Sequence, residues 1–265
     1  METYTLHRGH VPLLISLPHD SSVIPADIAA RMLPHARRSV DTDWHVAQLY
    51  APLAEELGAS VLTAKLSRYV VDLNRPADGE PLYPGRQETG VVPTMGFDGQ
   101  ALYAPGQEPD AAEVQQRIEA CWRPYHQAIE LELERLLAAH GRAVLWDGHS
   151  IRGHVPVLFS GRLPDFNLGT AGGASCSPNL QGPLAECLQR QDAFSQVLNG
   201  RFKGGHITRH YGHPGYAIDA VQLELVQETY MDEASFEFLP ERAKPVQQLI
   251  RQLLHLCVDY ARRGV

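Results

Sequence analysis

Two histidines in this chain stand at the ends of apolar runs. His19 comes just after residues 11–17, and His149 closes Arg142-Ala143-Val144-Leu145-Trp146-Asp147-Gly148. An imidazole delivered by the end of a buried strand is either a metal ligand or a satisfied turn residue. A glutamate, Glu224, lies inside Val221-Gln222-Leu223-Glu224-Leu225-Val226. A carboxylate among such neighbours must meet a cation, Arg68 or Arg209 for instance, or shift its pKa. Taken jointly, these residues fit a mononuclear zinc hydrolase. Catalytic zinc takes three protein ligands, His and carboxylate, and leaves its fourth position to water. His19 and His149 supply two ligands in this reading. Asp43 is the preferred carboxylate and Asp41 the second choice, although either acid could instead cap the helix that follows. Glu224 is then the general base that takes a proton from water and returns it to the leaving nitrogen. His and carboxylate donors also accept iron, cobalt or manganese, so the sequence leaves the metal open.

A second cluster of chemistry-bearing residues is Ser67-Arg68-Tyr69-Val70-Val71-Asp72-Leu73-Asn74-Arg75-Pro76. Arginines flanking a buried segment are costly unless each meets an anion. They make either structural salt bridges, with Asp72 as one partner, or a site for a small carboxylate, which suits the guanidinium fork. Gly148-His149-Ser150-Ile151-Arg152-Gly153 comes close to a serine-hydrolase nucleophile elbow. Its second glycine arrives one residue late, and no helix follows the serine, so that reading is set aside.

The elements that must position these residues alternate between strand and helix. Residues 11–17 read as a central strand and 26–33 as a helix. Residues 44–57 form a second helix, with Val46, Leu49, Tyr50, Leu53 and Leu57 on one face and Gly58 closing it. Residues 60–64 and 69–73 read as strands. A Gly- and Pro-rich excursion of weak hairpin character follows over residues 77–109, of the kind that makes lids and binding loops. Asp110 caps a helix running to about residue 139, kinked at Pro124. Strands are expected at 142–150, 155–159, 166–169 and 217–226. Residues 184–198 read as a helix, 204–215 as a turn-and-strand unit, and 240–262 as the final amphipathic helix. This pattern predicts an α/β fold: one domain over residues 1–265, with a mostly parallel mixed sheet flanked by helices. In such sheets ligands bind outside the carboxyl ends of the strands.

Composition narrows the function. The 265 residues are 44% hydrophobic and 20% charged, with a net charge of −8. Basic residues are scattered, so nucleic acid is not the expected partner. No run approaches the ~20 apolar residues that span a bilayer, and no secretory leader is read at the amino terminus. Cys121, Cys176, Cys187 and Cys257 lack C-x-x-C spacing and read as reduced thiols of a cytoplasmic protein. Oligomeric state is not legible.

The ordered set Leu14-Ile15-Ser16-Leu17-Pro18-His19, Asp41-Thr42-Asp43-Trp44-His45, residues 67–76, Asp147-Gly148-His149-Ser150 and Tyr211-Gly212-His213-Pro214 leading into Gln222-Leu223-Glu224 resembles the N-formylglutamate amidohydrolase (deformylase) family of histidine degradation. The resemblance covers nearly the whole chain. Its D-L-N-R element is also similar to the carboxylate-binding motif of aspartoacylases and zinc carboxypeptidases, which implies a zinc carboxypeptidase-like fold. It further implies one zinc ion on His19, Asp43 and His149, with Glu224 as the catalytic glutamate. Arg68 would polarise the scissile carbonyl, and Asn74 with Arg75 would grip one carboxylate of a small dicarboxylate substrate. Arg209 and His213, just before the Glu224 strand, are the candidates for the other carboxylate. One departure is visible: His19 is followed three positions later by Ser22, not by the glutamate of the H-x-x-E ligand pair, so the third ligand must come from elsewhere. The expected reaction is hydrolysis of N-formyl-L-glutamate to L-glutamate and formate. Competing expectations are another zinc amidohydrolase or peptidase, aspartoacylase-like or a cell-wall amidase, and a non-catalytic carboxylate-binding protein.

Overall fold

A computed structural model describes residues 2–82 and 88–263. Runs of apolar and β-branched residues form the inner strands, and the three central ones are buried on both faces, as a sheet covered by helices requires. In chain order the elements are β1 (Tyr4–His7), β2 (Leu13–Leu17), α1 (Ala26–Arg31), α2 (Val46–Leu57), β3 (Ser60–Ala64) and α3 (Ala111–Arg117). A single π-helical turn, Ile118–Trp122, leads into α4 (Arg123–His140) and β4 (Ala143–Ile151). Then come β5 (Phe166–Gly169), α5 (Pro178–Gln189), β6 (Gln196–Leu198), α6 (His206–Tyr211), β7 (Ile218–Val226) and α7 (Pro240–Arg262).

The seven strands make one sheet in the order β1-β3-β2-β4-β7-β5-β6. The inner four, β3, β2, β4 and β7, are parallel; β1 runs antiparallel to β3 and β5 antiparallel to β7, while β6 is parallel to β5. One face packs on α2, α5 and α7 through residues such as Leu13, Ile15, Leu17, Trp146, Val221 and Leu223. The other face carries Leu14, Leu145 and Ala220 against Tyr125, Ile129 and Leu133 of α4. Side chains alternate along a strand. Asp147 and His149 on β4 therefore share this second face with Gln222 and Glu224 on β7. The parallel register pairs Asp147 with Gln222 and His149 with Glu224. Four polar side chains are thus gathered on one face, beyond the end of the apolar layer.

Several expected elements differ. Residues 69–73 are buried but form turns, not a strand. The side chains of Ser67 and Asp72 accept the nearby N–H groups of Tyr69 and Asn74 at 3.0 Å each, which competes with any ladder. Residues 155–159 also form a turn. The helix expected at 184–198 starts at Pro178 and ends at Gln189, and strand β6 takes its last three positions. Residues 206–211 are helical rather than extended. Helix α2 begins at Val46, and neither Asp41 nor Asp43 caps it; the Ala47 N–H donates to Asp20 Oδ1 at 2.7 Å instead. Gly58 does close α2 in the left-handed conformation, φ 73°. Asp110 caps α3 by accepting the Glu113 N–H at 2.8 Å. A π turn, Ile118–Trp122, stands just before Pro124, where a kink was expected, and it relieves the carbonyl that the proline ring would strike.

Over the described part of the excursion at 77–109 there is neither helix nor strand, and residues 83–87 lie outside the described residues. No helix among the described residues is long and apolar enough to cross a membrane.

Candidate active site

His19 lies two residues beyond β2, and its carbonyl accepts the Asp43 N–H at 3.0 Å. That bond fixes the loop before α2 against the end of the sheet. Asp43 Oδ2 then lies 2.9 Å from His149 Nδ1 and 3.6 Å from His19 Nδ1. One ligand atom from each of the three residues falls within 4.8 Å of the others, and all three are buried. Asp41 is placed differently. Its carboxylate accepts from Tyr69 Oη at 2.6 Å, from the Phe97 N–H at 2.8 Å and from Arg152 at 3.1 Å. Asp43 is therefore the acid between the histidines, and Asp41 ties the long excursion to the body of the protein.

The outer nitrogen of each histidine is also held. His19 Nε2 is 2.8 Å from Asp72 Oδ1, and His149 Nε2 is 3.1 Å from Asp147 Oδ2. A carboxylate on the outer nitrogen fixes the ring of a metal-ligating histidine and makes its inner nitrogen more basic. Two buried atoms facing inward, His19 Nδ1 and Asp43 Oδ1, have no hydrogen-bond partner within the protein. Buried polar atoms are normally satisfied. An unbonded imidazole nitrogen beside a buried carboxylate in a His-Asp-His cluster fits a divalent cation, and the neutral-nitrogen and carboxylate donors suit zinc or its transition-metal neighbours.

Arg68 and Glu224 lie beside this cluster and line the same cleft. Arg68 Nη2 donates to Asp72 Oδ2 at 2.7 Å, and its Nη1 is 3.5 Å from Asp43 Oδ1. Burial alone would lower the Arg68 pKa, but the charges of Asp72 and Asp43 raise it instead. The Phe97 ring covers the guanidinium, with its centroid 4.6 Å from Cζ. Arg68 is thus at once the salt-bridge residue and the cation of the site. Glu224 is 7% exposed, and burial pushes its pKa up to about 8, with Asp43 adding in the same direction against His149 and Arg68. Burial would raise Asp43 too, but the neighbouring His149 and His19 hold it below the usual carboxylate range. Two carboxylates with opposite shifts, side by side, are what acid–base chemistry beside a cation site needs. Ser150 lies within β4, and its N–H donates to Asp43 Oδ2 at 3.2 Å. It stands on no strand-to-helix elbow.

The cleft in front of this centre is lined by His19, Arg68, His149 and Glu224, with Arg75, Arg201 and Gln222 on its flanks. Asn74 also lines it, but its amide bonds within the protein. Asn74 Nδ2 lies 3.2 Å from Asp147 Oδ2 and 2.9 Å from His149 Nε2, and Oδ1 accepts the Ile207 N–H at 2.8 Å. A Cβ at Gly205 would strike this amide, so the close approach needs glycine there. Arg75 Nε donates to Thr89 O at 2.9 Å and Nη1 to Asn74 O at 3.4 Å, and the residue lines the cleft. Arg209 and His213 do not line the cleft, and both are exposed. Arg209 Nε donates to Gly204 O at 2.8 Å, and His213 bridges to Ile218 at the start of β7, the far end of that strand from Glu224. Arg201, three residues after β6, is the cation in the cleft that the sequence did not disclose. Reading residues 184–198 as one helix hid the turn that brings it there.

A family model for N-formylglutamate amidohydrolase matches residues 11–231. The chain belongs to that family. An N-formylglutamate deformylase of Pseudomonas aeruginosa is 52% identical over 262 residues, 98% of each chain. Another, of Pseudomonas putida, is 49% identical over 251 residues, covering 94% of this chain and 93% of that one. The crystal structure of an N-formylglutamate amidohydrolase from Ralstonia eutropha superimposes with a TM-score of 0.85 at 26% identity, covering both chains completely. The resemblance carried by the five motifs and the expected helix-flanked mixed sheet are both borne out. In this amidohydrolase the two histidine-bearing strand ends, the loop acid and the glutamate of β7 converge on one centre.

Proposed function

We propose that this amidohydrolase hydrolyses N-formyl-L-glutamate to L-glutamate and formate, as a step of histidine degradation in the cytoplasm, and that it does so with one zinc ion held by His19, Asp43 and His149. The observation that carries the reading is the His-Asp-His cluster set beside a buried glutamate of raised pKa, in a cleft that also holds Arg68, Arg75 and Arg201. When bound, zinc supplies Lewis acidity and makes water easier to deprotonate.

The protein's own residues do the rest. Glu224 accepts the proton of the attacking water and hands it to the leaving amine nitrogen. Arg68, held rigid by Asp72 and by the Phe97 ring, donates to the oxygen on which charge develops, a contribution of roughly 3–4 kcal/mol for a well-placed donor. Its orientation is set before substrate arrives, so little reorganisation is left for the reaction. Arg75 presents its fork to one substrate carboxylate, and Asn74 lies beside it with its amide held by Asp147 and the Ile207 N–H. Arg201 faces the other carboxylate, a role the sequence suggested for Arg209 and His213. Glu88, Thr89 and Phe97, from the excursion at 77–109, line the cleft and cover the bound substrate.

Formate release is the decisive measurement. Purified protein with zinc analysed in the same sample is given N-formylglutamate, N-formylaspartate and N-acetylglutamate in parallel. Preferential formate release from N-formylglutamate, proportional to metal content, is expected. Equal turnover of the acetyl compound would favour an aspartoacylase-like activity, and no turnover of any would sink the enzymatic reading.

A further inference from the structure

Residues 73–75 form no part of any helix or strand, so their position must be imposed by something else. Each of their three carbonyls is held by a separate donor. Leu73 O accepts from His126 Nε2 at 2.8 Å, Asn74 O from the His206 N–H at 3.3 Å, and Arg75 O from Trp122 Nε1 at 2.9 Å. Trp122 is the last residue of the π turn, and His126 lies one helical turn further on, on the same face. Their rings stack with centroids 3.6 Å apart and planes 18° from parallel. The histidine has one possible role here. A carbonyl only accepts, so His126 Nε2 carries the proton, and Nδ1 accepts from the Tyr211 hydroxyl at 2.9 Å. Tyr211 and His206 both belong to α6, so two helices grip the segment together. Neither Trp122 nor His126 lines the cleft.

We propose that Trp122 and His126 are positioning residues that set the orientation of Asn74 and Arg75 by holding the carbonyls of residues 73–75, and thereby set the affinity for the substrate carboxylate. The proposal rests on Arg75 being a carboxylate anchor in the function proposed above. It also gives the π turn a purpose. One extra residue at Ile118–Trp122 rotates the indole relative to the preceding α3, and such bulges are enriched where a helix serves a site.

The test separates positioning from general stability. Trp122→Phe keeps the stacked ring and removes the N–H. It is expected to raise KM for N-formylglutamate about tenfold and to leave kcat within about twofold. His126→Leu should act likewise, and His126→Gln, which restores a donor near Nε2, should recover most of the loss. In an Arg75→Ala background, Trp122→Phe should have no further effect on KM, because the group it positions is gone. Unchanged KM in Trp122→Phe, or full additivity with Arg75→Ala, would overturn the proposal. If the wild-type protein releases no formate, the proposed function fails first. Crystal structures then decide the inference alone: an Arg75 guanidinium in the same place in wild type and Trp122→Phe overturns it.

Discussion

His149 and Glu224 face each other in register across two neighbouring parallel strands, on the same face of the sheet. The proposed ligand histidine and the proposed proton-transfer group, held by one ladder, cannot drift apart without unpairing the sheet. The geometry of the reacting centre is therefore as rigid as the core, and substitutions there should change chemistry before they change folding.

Replacing Glu224 by Gln keeps the shape and removes the titrating oxygen. We expect kcat to fall by about 10³-fold, within the usual span for loss of a general acid–base group. Zinc content should not change, because Glu224 lies outside the His19, Asp43 and His149 cluster. Activity within tenfold of wild type would remove Glu224 from the proton transfer.

Metal analysis distinguishes the two loop aspartates. Asp43→Ala, His19→Ala and His149→Ala should each lose most bound metal. Asp41→Ala should keep it, yet lose ~1–3 kcal/mol of stability in urea unfolding, because Tyr69 and the Phe97 N–H are left without their acceptor. Metal loss in Asp41→Ala alone would move the third ligand.

The arginines should divide between kcat and KM. Arg68→Ala is expected to lower kcat by about 10²–10³-fold. Arg201→Ala and Arg75→Ala should raise KM for N-formylglutamate about tenfold or more, as loss of a charged hydrogen bond does. Arg209→Ala and His213→Ala, which lie outside the cleft, should stay within about twofold on both constants. Steady-state kinetics on the five variants reads all of this, and a kinetic effect at His213 matching that at Arg201 would refute the assignment.

Burial depresses the His126 pKa to about 3, and His206, half-buried beside His210, falls to about 4 by the same cause. The unfolded chain therefore binds these protons more readily than the folded one. Their stabilising effect is complete above about pH 6.5, the unfolded value, and is lost as pH falls toward the folded values. For His126 this slope is at most ~1.4 kcal/mol per pH unit. Urea unfolding of wild type and His126→Gln between pH 7 and pH 4 should show a shallower acid decline in the variant. Parallel curves would show that His126 does not titrate in this way.

Much of this site was legible because strand ends are legible. The apolar runs before His19 and His149 and around Glu224 announced buried strands, and the residues where polarity interrupted them were the ones that met. Helix 240–262 and strand 60–64 were also bounded correctly. Residues 69–73 misled because burial and β-branching do not distinguish a strand from a buried turn, and only the bonds of Ser67 and Asp72 make it a turn. The choice of Asp43 over Asp41 depends on one backbone bond to His19, which no spacing encodes. Arg201 was hidden by an apolar stretch that fits either a helix end or a short strand.

Asp72 binds His19 with one oxygen and Arg68 with the other. The candidate metal seat and the guanidinium proposed to meet the carbonyl therefore share a single hinge pin. Neither can be retuned without disturbing its counterpart, so descendants of this scaffold that adopt new acyl substrates would have to vary elsewhere. Cleft-lining side chains that bear on neither group, such as those of Thr89 and Leu158, are where that variation can accumulate.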